Sequence, residues 1–425
     1  MEAGSRYLIN NIEIISDDPK AQSLLAVAYS GEKVPRCLCV PGGVDMYIAK
    51  YKNFVIKRRP DTGKDHSPNC ASYEPPAGQS GLGEVLGEAI IERSAELIEV
   101  RLGFPLTRRQ GRAVSPGEPT EKTEVEVQRQ RLGLRGLLHL LWERAGGGLN
   151  RWYPRMEGKR SWWVVRKHLT EAAHEIETKG IRFADRLLIP EPFRVEAATE
   201  ITKRRAAAMS ILLSPSDDVQ FKMMIAIGEL KDFAATEIDY RVVLKHMAGC
   251  PLFMEKKAGE KFKKTFGTEY ATWIHQKAIE QAQTNMKKPP ELRFIFAGLV
   301  YAKRENVFHI DTATIMMTTS NWIPIDYEYE KTLADELTRQ RRRFMKPLRY
   351  ESKQGASFPN LILLDTGDQT TALDIVSPFL ADKAQALKEL TLKQREAPHW
   401  VWRTDEDSLP PPLPPVAAQS LKPDR

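Results

Sequence analysis

The chain has 425 residues, 42% of them hydrophobic and 28% charged, with a formal net charge of +7. That length supports two or three domains with well-buried cores, and the composition excludes a disordered or fibrous class. No apolar run approaches the roughly 18 residues that a membrane span needs. The opening MEAGSRYLINNIEIISDDPK lacks the basic start and apolar stretch of a signal peptide. The reading is a cytoplasmic protein, in a compartment where clustered cysteines hold metal more often than they form disulfides. A charge excess this small permits nucleic-acid binding without requiring it.

Residues 1–79 are expected to fold around three of the four cysteines, in CLCVPGGVDMYIAKYKNFVIKRRPDTGKDHSPNC. Met46, Ile48, Val55 and Ile56 fit strand positions and Lys52-Asn53 fits a turn, which predicts a β-hairpin. An antiparallel pair returns to the edge where it began. Cys37 and Cys39 before the hairpin then meet His66 and Cys70 after it. Three thiolates and one imidazole complete a tetrahedral set, the pattern of structural zinc sites. The Cys-x-Cys spacing is tighter than the usual Cys-x2-Cys. Unliganded buried thiols with a loop histidine, or a disulfide, are the alternatives. Cys250, alone in HMAGCPLF, reads as a core thiol.

GLGEVLGEAIIERSAELIEV predicts a helix within residues 80–106, and its Gly81 to Gly87 run has the wrong spacing for a dinucleotide loop. Polar residues with Gly and Pro make 107–131 a linker. Two helices are expected over 132–195. Leu134, Leu137, Leu138 and Leu141 form one apolar stripe, and Trp162, Val165, Leu169, Ala172, Ala173 and Ile176 form a second. Residues 196–402 mix strands (FKMMIAIGELKDF, YRVVLKH, LRFIFAGLVYA, VFHIDTATIMMT, FPNLILLD, TALDIV) with helices (GEKFKKTFGTEYATWIHQKAIEQAQ, YEKTLADELTRQRRRF, ADKAQALKELTLKQR). Strand pairs alternating with single helices predict an α+β domain. The proline-rich tail, 403–425, is expected to be extended and disordered.

The motifs CLC, MYIAK, KRRPDTG, SYEPP, SGLG, LRGLLHLLWERAG, NRWYPRMEGKRSWWVVRKHL, IPEPF, IGELKD, VVLKH and RRFMKPLRY span nearly the whole chain. Together they resemble the bacterial domain of unknown function 1173 family. That family is described by three cysteines towards its N-terminus, which here are Cys37, Cys39 and Cys70; adding His66 is an inference from spacing. The resemblance implies a proteobacterial protein often carried on mobile elements. It implies no activity.

Basic residues interleave with aromatics twice. On the second helix, Trp163 and Lys167 lie opposite the apolar stripe, with Arg160 just before it. Further on, Arg339, Arg341, Arg342, Arg343, Lys346 and Arg349 repel one another unless an anion or carboxylates offset them. Phosphate contact with DNA or RNA, or a solvated face, would satisfy these cations. A candidate nuclease site lies in SPSDDVQFKMMIAIGELKDF: Asp218 and Glu229 to hold Mg²⁺ and Lys231 to assist the attacking water, as in restriction-type nucleases. Glu229 and Lys231 share a face if the strand alternates regularly. A second echo, FPNLILLDTGDQTTALDIV, has Asp365 and Asp374 but Val376 where the lysine is needed. Phosphate-loop, esterase-elbow and His-Glu-x2-His motifs are absent.

The expectation is an α+β protein with a zinc-stabilised N-terminal hairpin, a helical middle and a mixed C-terminal domain. Its expected work is non-catalytic binding to nucleic acid or to a protein partner, with no membrane. The alternatives are a divergent Mg²⁺-dependent nuclease and a purely protein-binding scaffold.

Overall fold

The computed structural model describes the chain except residues 1–4, 16–17, 19, 51–52, 95, 110–130, 214–219, 283–290 and 418–425. Lys52 of the expected turn, nearly all of the expected linker, and Asp218 lie outside the described residues. The fold is α+β. Two compact units interleave along the chain: unit 1 holds 1–99, 146–156 and 329–425, and unit 2 holds 100–145 and 157–328. Among the described residues no helix is long and apolar enough to cross a membrane.

Unit 1 begins with β1 (Arg6–Ile9) and β2 (Ile12–Ile15). Asn10 and Asn11, both at positive φ, make the two-residue turn between them, as asparagine tolerates this conformation and its twist suits a hairpin. Helix α1 (Ala21–Ser30) buries Ala21, Leu25 and Ala28. β3 (Arg36–Cys37), β4 (Val44–Lys50) and β5 (Phe54–Arg58) follow, in the sheet order β2-β1-β3-β4-β5. The expected hairpin is present, with Ile48 opposite Ile56 and Lys50 opposite Phe54. Met46, Ile48 and Ile56 join Tyr7, Ile9 and Leu25 in one core.

The helix expected over 80–106 is only Leu82–Val85; strands Ile90–Ser94 and Leu97–Val100 replace its remainder. Gly87, at φ 82°, ends the helix, and paired isoleucines favour the extended chain beyond it. Gly81 has a steric explanation that needs no ligand: a Cβ there would lie 1.9 Å from the Arg349 carbonyl oxygen.

Unit 2 contains the two expected helices, α2 (Leu134–Arg144) and α3 (Trp162–His174), with both apolar stripes buried. Glu175, at the C-terminal end of α3, is 8% exposed, and burial pushes its carboxyl up to about 8. A raised folded-state value means stability present below the unfolded pKa and lost as pH rises towards 8. Glu175→Gln is therefore expected to raise the unfolding free energy read from urea titration at pH 9, by about a few kcal/mol, and to change it little at pH 4.

The centre of unit 2 is a strand path that closes on itself. β6 (Leu187–Leu188) lies beside β7 (Met224–Ala235), followed by β8 (Asp239–Leu244), β9 (Leu252–Glu255), helices α4 (Lys256–Thr265) and α5 (Gly267–Ala282), β10 (Leu292–Arg304) and β11 (Val307–Thr319). β7 pairs β8, β8 pairs β9, β9 pairs β11 in parallel, β11 pairs β10, and β10 returns to β7. Five strands closed in the order 1-2-3-5-4, with helix between the third and fourth, are the plan of the OB barrel. Leu244, Leu252, Met254, Phe296, Val300, Phe308 and Ile310 fill it.

Unit 1 resumes with α6 (Glu328–Arg339), β12 (Phe344–Met345), β13 (Leu361–Leu363), β14 (Thr371–Val376), α7 (Asp382–Gln394) and β15 (His399–Arg403). The sheet runs β15-β14-β13-β12, with Arg151–Trp152 at the far edge. The proline-rich tail is extended but docked as far as residue 417. Trp400 Nε1 donates to the Pro412 carbonyl, Arg342 to the Pro414 carbonyl, and the Ala417 N–H to the Asp365 carbonyl.

Candidate metal centre and barrel face

The end of the β4–β5 hairpin brings four side chains together. β3 ends at Cys37, and Pro41-Gly42-Gly43 folds the chain sharply into β4. Gly43 sits at φ 71°, where an added Cβ would press to 3.2 Å from the Cys37 carbonyl. After β5, the 3-10 turn Gly63–Asp65 delivers His66, and the Cys70 N–H donates to the Ser67 carbonyl. The donor atoms of Cys37, Cys39, His66 and Cys70 all lie within 4.8 Å of one another. Cys37 Sγ is 3.6 Å from Cys70 Sγ, and His66 Nδ1 is 3.2 Å from Cys39 Sγ and 3.6 Å from Cys70 Sγ.

This group could hold a metal ion. Tetrahedral zinc with Zn–S bonds of about 2.3 Å needs sulfurs roughly 3.8 Å apart. The observed separations are already close to that. Cys39 is held well below the ordinary thiol range, first by the Cys37 thiol and then by Cys70, with His66 and the Ser67 backbone N–H adding to it. Cys37 is pushed up to about 11, chiefly by Cys39, and Cys70 is pushed up, chiefly by Cys37. The three thiols thus share one readily formed negative charge, which a divalent cation would extend to all of them. The Ser72 N–H also points at Cys70 Sγ, 3.4 Å away. Nδ1 is the imidazole nitrogen facing the sulfurs. Nε2 is buried without a hydrogen-bond partner among the described residues. Cys250, as expected, is a buried thiol in the barrel core.

The expected nuclease residues of β7 do not converge. Glu229 is 5% exposed and paired with Lys245 and Arg293 at 2.6 and 3.2 Å, whereas Lys231 is exposed. A β-bulge between Leu230 and Asp232 breaks the alternation that would have put them on one face.

The basic residues divide as well. Trp163 is 58% exposed with the Lys167 ammonium 6.0 Å from its ring centre, and Arg160 donates to the Asn321 carbonyl. In the second run, Arg341 is exposed and Arg343 is partly buried. Arg342 and Lys346 are interior. Arg342 makes a two-pronged pair with Asp365, and Lys346 Nζ is 2.5 Å from Glu330; Arg349 is 3.9 Å from the same carboxylate. Carboxylates, not phosphates, offset these cations, so Arg342 and Lys346 present no charge to a surface ligand.

A row that sequence reasoning missed crosses the barrel. Arg241 on β8 lies opposite Phe253 on β9, Phe253 opposite His309 on β11, and His309 opposite Tyr301 on β10. Their neighbours Val242, Leu252, Met254, Phe308 and Ile310 point inwards, so alternation turns the row away from the barrel core. Arg241 is exposed and Phe253 and His309 are half-buried, whereas Tyr301 is 1% exposed, covered by Arg108 and Phe221. Tyr301 and His309 stack with ring centres 5.5 Å apart, and Phe253 is 6.5 Å from His309. The Arg108 guanidinium lies 4.2 Å over the Tyr301 ring and Lys303 is 5.9 Å from it. Burial holds His309 below the ordinary histidine range, and its Nδ1 has no hydrogen-bond partner among the described residues. Outward residues in YRV, LFM and FHI were the available signal, invisible until pairing aligned the strands.

These features define a class: an α+β protein with an OB-type barrel and a Cys3His group able to hold a metal ion. A family model described as protein of unknown function (DUF1173) matches residues 7–405, and the chain belongs to that family. No curated protein and no solved structure matches it.

Proposed function

We propose that this protein is a zinc-stabilised, non-catalytic binder of single-stranded nucleic acid. The observation that carries the reading is the run Arg241–Phe253–His309 across adjacent barrel strands, exposed or half-buried and backed by the buried Tyr301 ring. Bases have flat faces that stack on aromatic rings, and cations beside those rings meet the phosphates between them. OB barrels bind oligonucleotides on the face formed by their second and third strands, which here are β8 and β9. Zinc at Cys37, Cys39, His66 and Cys70 would be structural, because four protein ligands leave no open position for substrate.

Anisotropy of a labelled oligothymidylate is the test. Affinity is expected to fall steeply with salt, and Phe253→Ala to weaken binding by about 5- to 100-fold, as loss of one stacked base does. Trp163→Ala is expected to change affinity less, since that ring lies outside the row. Unchanged affinity in Phe253→Ala, or no binding at low salt, would turn the reading to a protein-binding scaffold.

A further inference from the structure

Residues 328–403 run helix, three antiparallel strands, helix, parallel strand, with the strands adjacent in chain order. By fold analogy, that is the core of restriction-type nucleases. Such a core takes its metal ligands from the start of the second strand, the third strand and the first helix. Here those places hold Asn360, Asp374 and Glu330. The register pairing Leu361 with Leu373 sets Asn360 opposite Asp374, on one face of the sheet. Asn360 Nδ2 donates to Glu330 Oε1 at 2.7 Å, and Asn360 Oδ1 accepts from the Ile375 N–H at 2.8 Å. Val376 stands where the lysine should be, but α7 supplies one: Lys388 Nζ is 2.5 Å from Asp374 Oδ1 and donates to the Phe358 carbonyl.

Cations already outnumber carboxylates in this group. Glu330 and Asp374 are 0% exposed, and Lys346, Lys388 and Arg395 are all paired to them. Arg395 takes Asp374 Oδ2, which leaves Oδ1 facing Lys388 alone, buried and without a well-aligned hydrogen bond among the described residues. A hard divalent cation seeks carboxylate and amide oxygens, but at Asp374 Oδ1 an ammonium stands instead.

We propose that Asp374, Glu330 and the Asn360 amide are a nuclease-type Mg²⁺/Mn²⁺ site in which the Lys388 ammonium has replaced the metal ion. The intact chain then binds no divalent cation at this core and cleaves nothing, and removal of the ammonium restores the cation site.

The test uses the full-length, zinc-loaded chain with Mn²⁺ as probe, read by calorimetry and thermal melting at fixed ionic strength. The wild type is expected to bind no Mn²⁺ in unit 1 and to melt unchanged. Lys388→Ala is expected to melt lower, to bind one Mn²⁺, and to recover about half or more of the lost Tm at saturating Mn²⁺. The double variant Lys388→Ala/Asp374→Asn is expected to show no Mn²⁺ response. Lys388→Gln, which keeps a donor for the Phe358 carbonyl, is read in the same way as Lys388→Ala. A lysine variant that folds only with Mn²⁺ supports the proposal. Mn²⁺ binding by the wild type with cleavage of plasmid DNA overturns it. So does a lysine variant that ignores Mn²⁺, or one that fails to fold with or without it while the double variant folds.

Discussion

Removal of zinc, by a strong chelator or by Cys70→Ser, is expected to unfold the N-terminal module and leave the barrel standing. Cys37 is both a ligand candidate and a core residue of that module, opposite Tyr7 in the β1–β3 pairing. Cys70 reaches the same point from beyond the hairpin, and its own segment continues into Tyr73, which packs with Ile362 and Leu364. A zinc ion there would therefore tie two stretches, residues 37–39 and 66–70, on either side of the β4–β5 hairpin. Structural zinc contributes on the order of 10 kcal/mol to small metal-dependent folds, and the cost here is bounded by that figure because a separate apolar core also supports the module. Serine does not replace the thiolate, since zinc prefers sulfur and a hydroxyl stays protonated. Hydrogen exchange should show β3–β5 losing protection while β7–β11 keep theirs. Equal protection in the chelated and zinc-loaded chains would remove the metal from the account.

Arg342→Met is expected to destabilise the β12–β14 sheet by about 3–5 kcal/mol, the cost of leaving a buried charge without its partner. Arg342 and Asp365 are each 3% exposed in their side chains, and Asp365 also accepts from the Arg343 N–H. The variant strands that carboxylate and frees the tail carbonyl of Pro414 that Arg342 binds. The double variant Arg342→Met/Asp365→Asn should recover a large part of the loss, because the uncompensated charge is gone. Exchange in β13 and β14 peptides faster by roughly 10²- to 5 × 10³-fold in the single variant would match that cost. An unchanged rate would mean that Asp365 finds water or another cation.

What the sequence revealed was what short range controls. The β4–β5 hairpin and the Cys3His group follow from β-branched strand residues, tight turns and ligands set within a window of 34 residues. Both apolar helix stripes were legible for the same reason. Long-range pairing hid the rest. Glu229 and Lys231 part because a bulge against β8 breaks the alternation, and no residue in IGELKD announces it. Arg342 and Lys346 read as surface charge until Asp365, 23 residues away, and Glu330, 16 away, are folded against them. Lys388 could not be matched to Asp374 from a motif, since the expected position carried Val376 and the substitute comes from the next helix. The barrel row needs four strands in register before its rings meet.

X-ray absorption at the zinc edge, on protein purified without added metal, tests the central claim most directly. One zinc per chain, with three sulfurs at about 2.3 Å and one nitrogen at about 2.0–2.1 Å, is the expected result. A chain that carries no zinc yet keeps β3–β5 protected from exchange, or one whose Cys37 and Cys70 are joined as a disulfide, would contradict it.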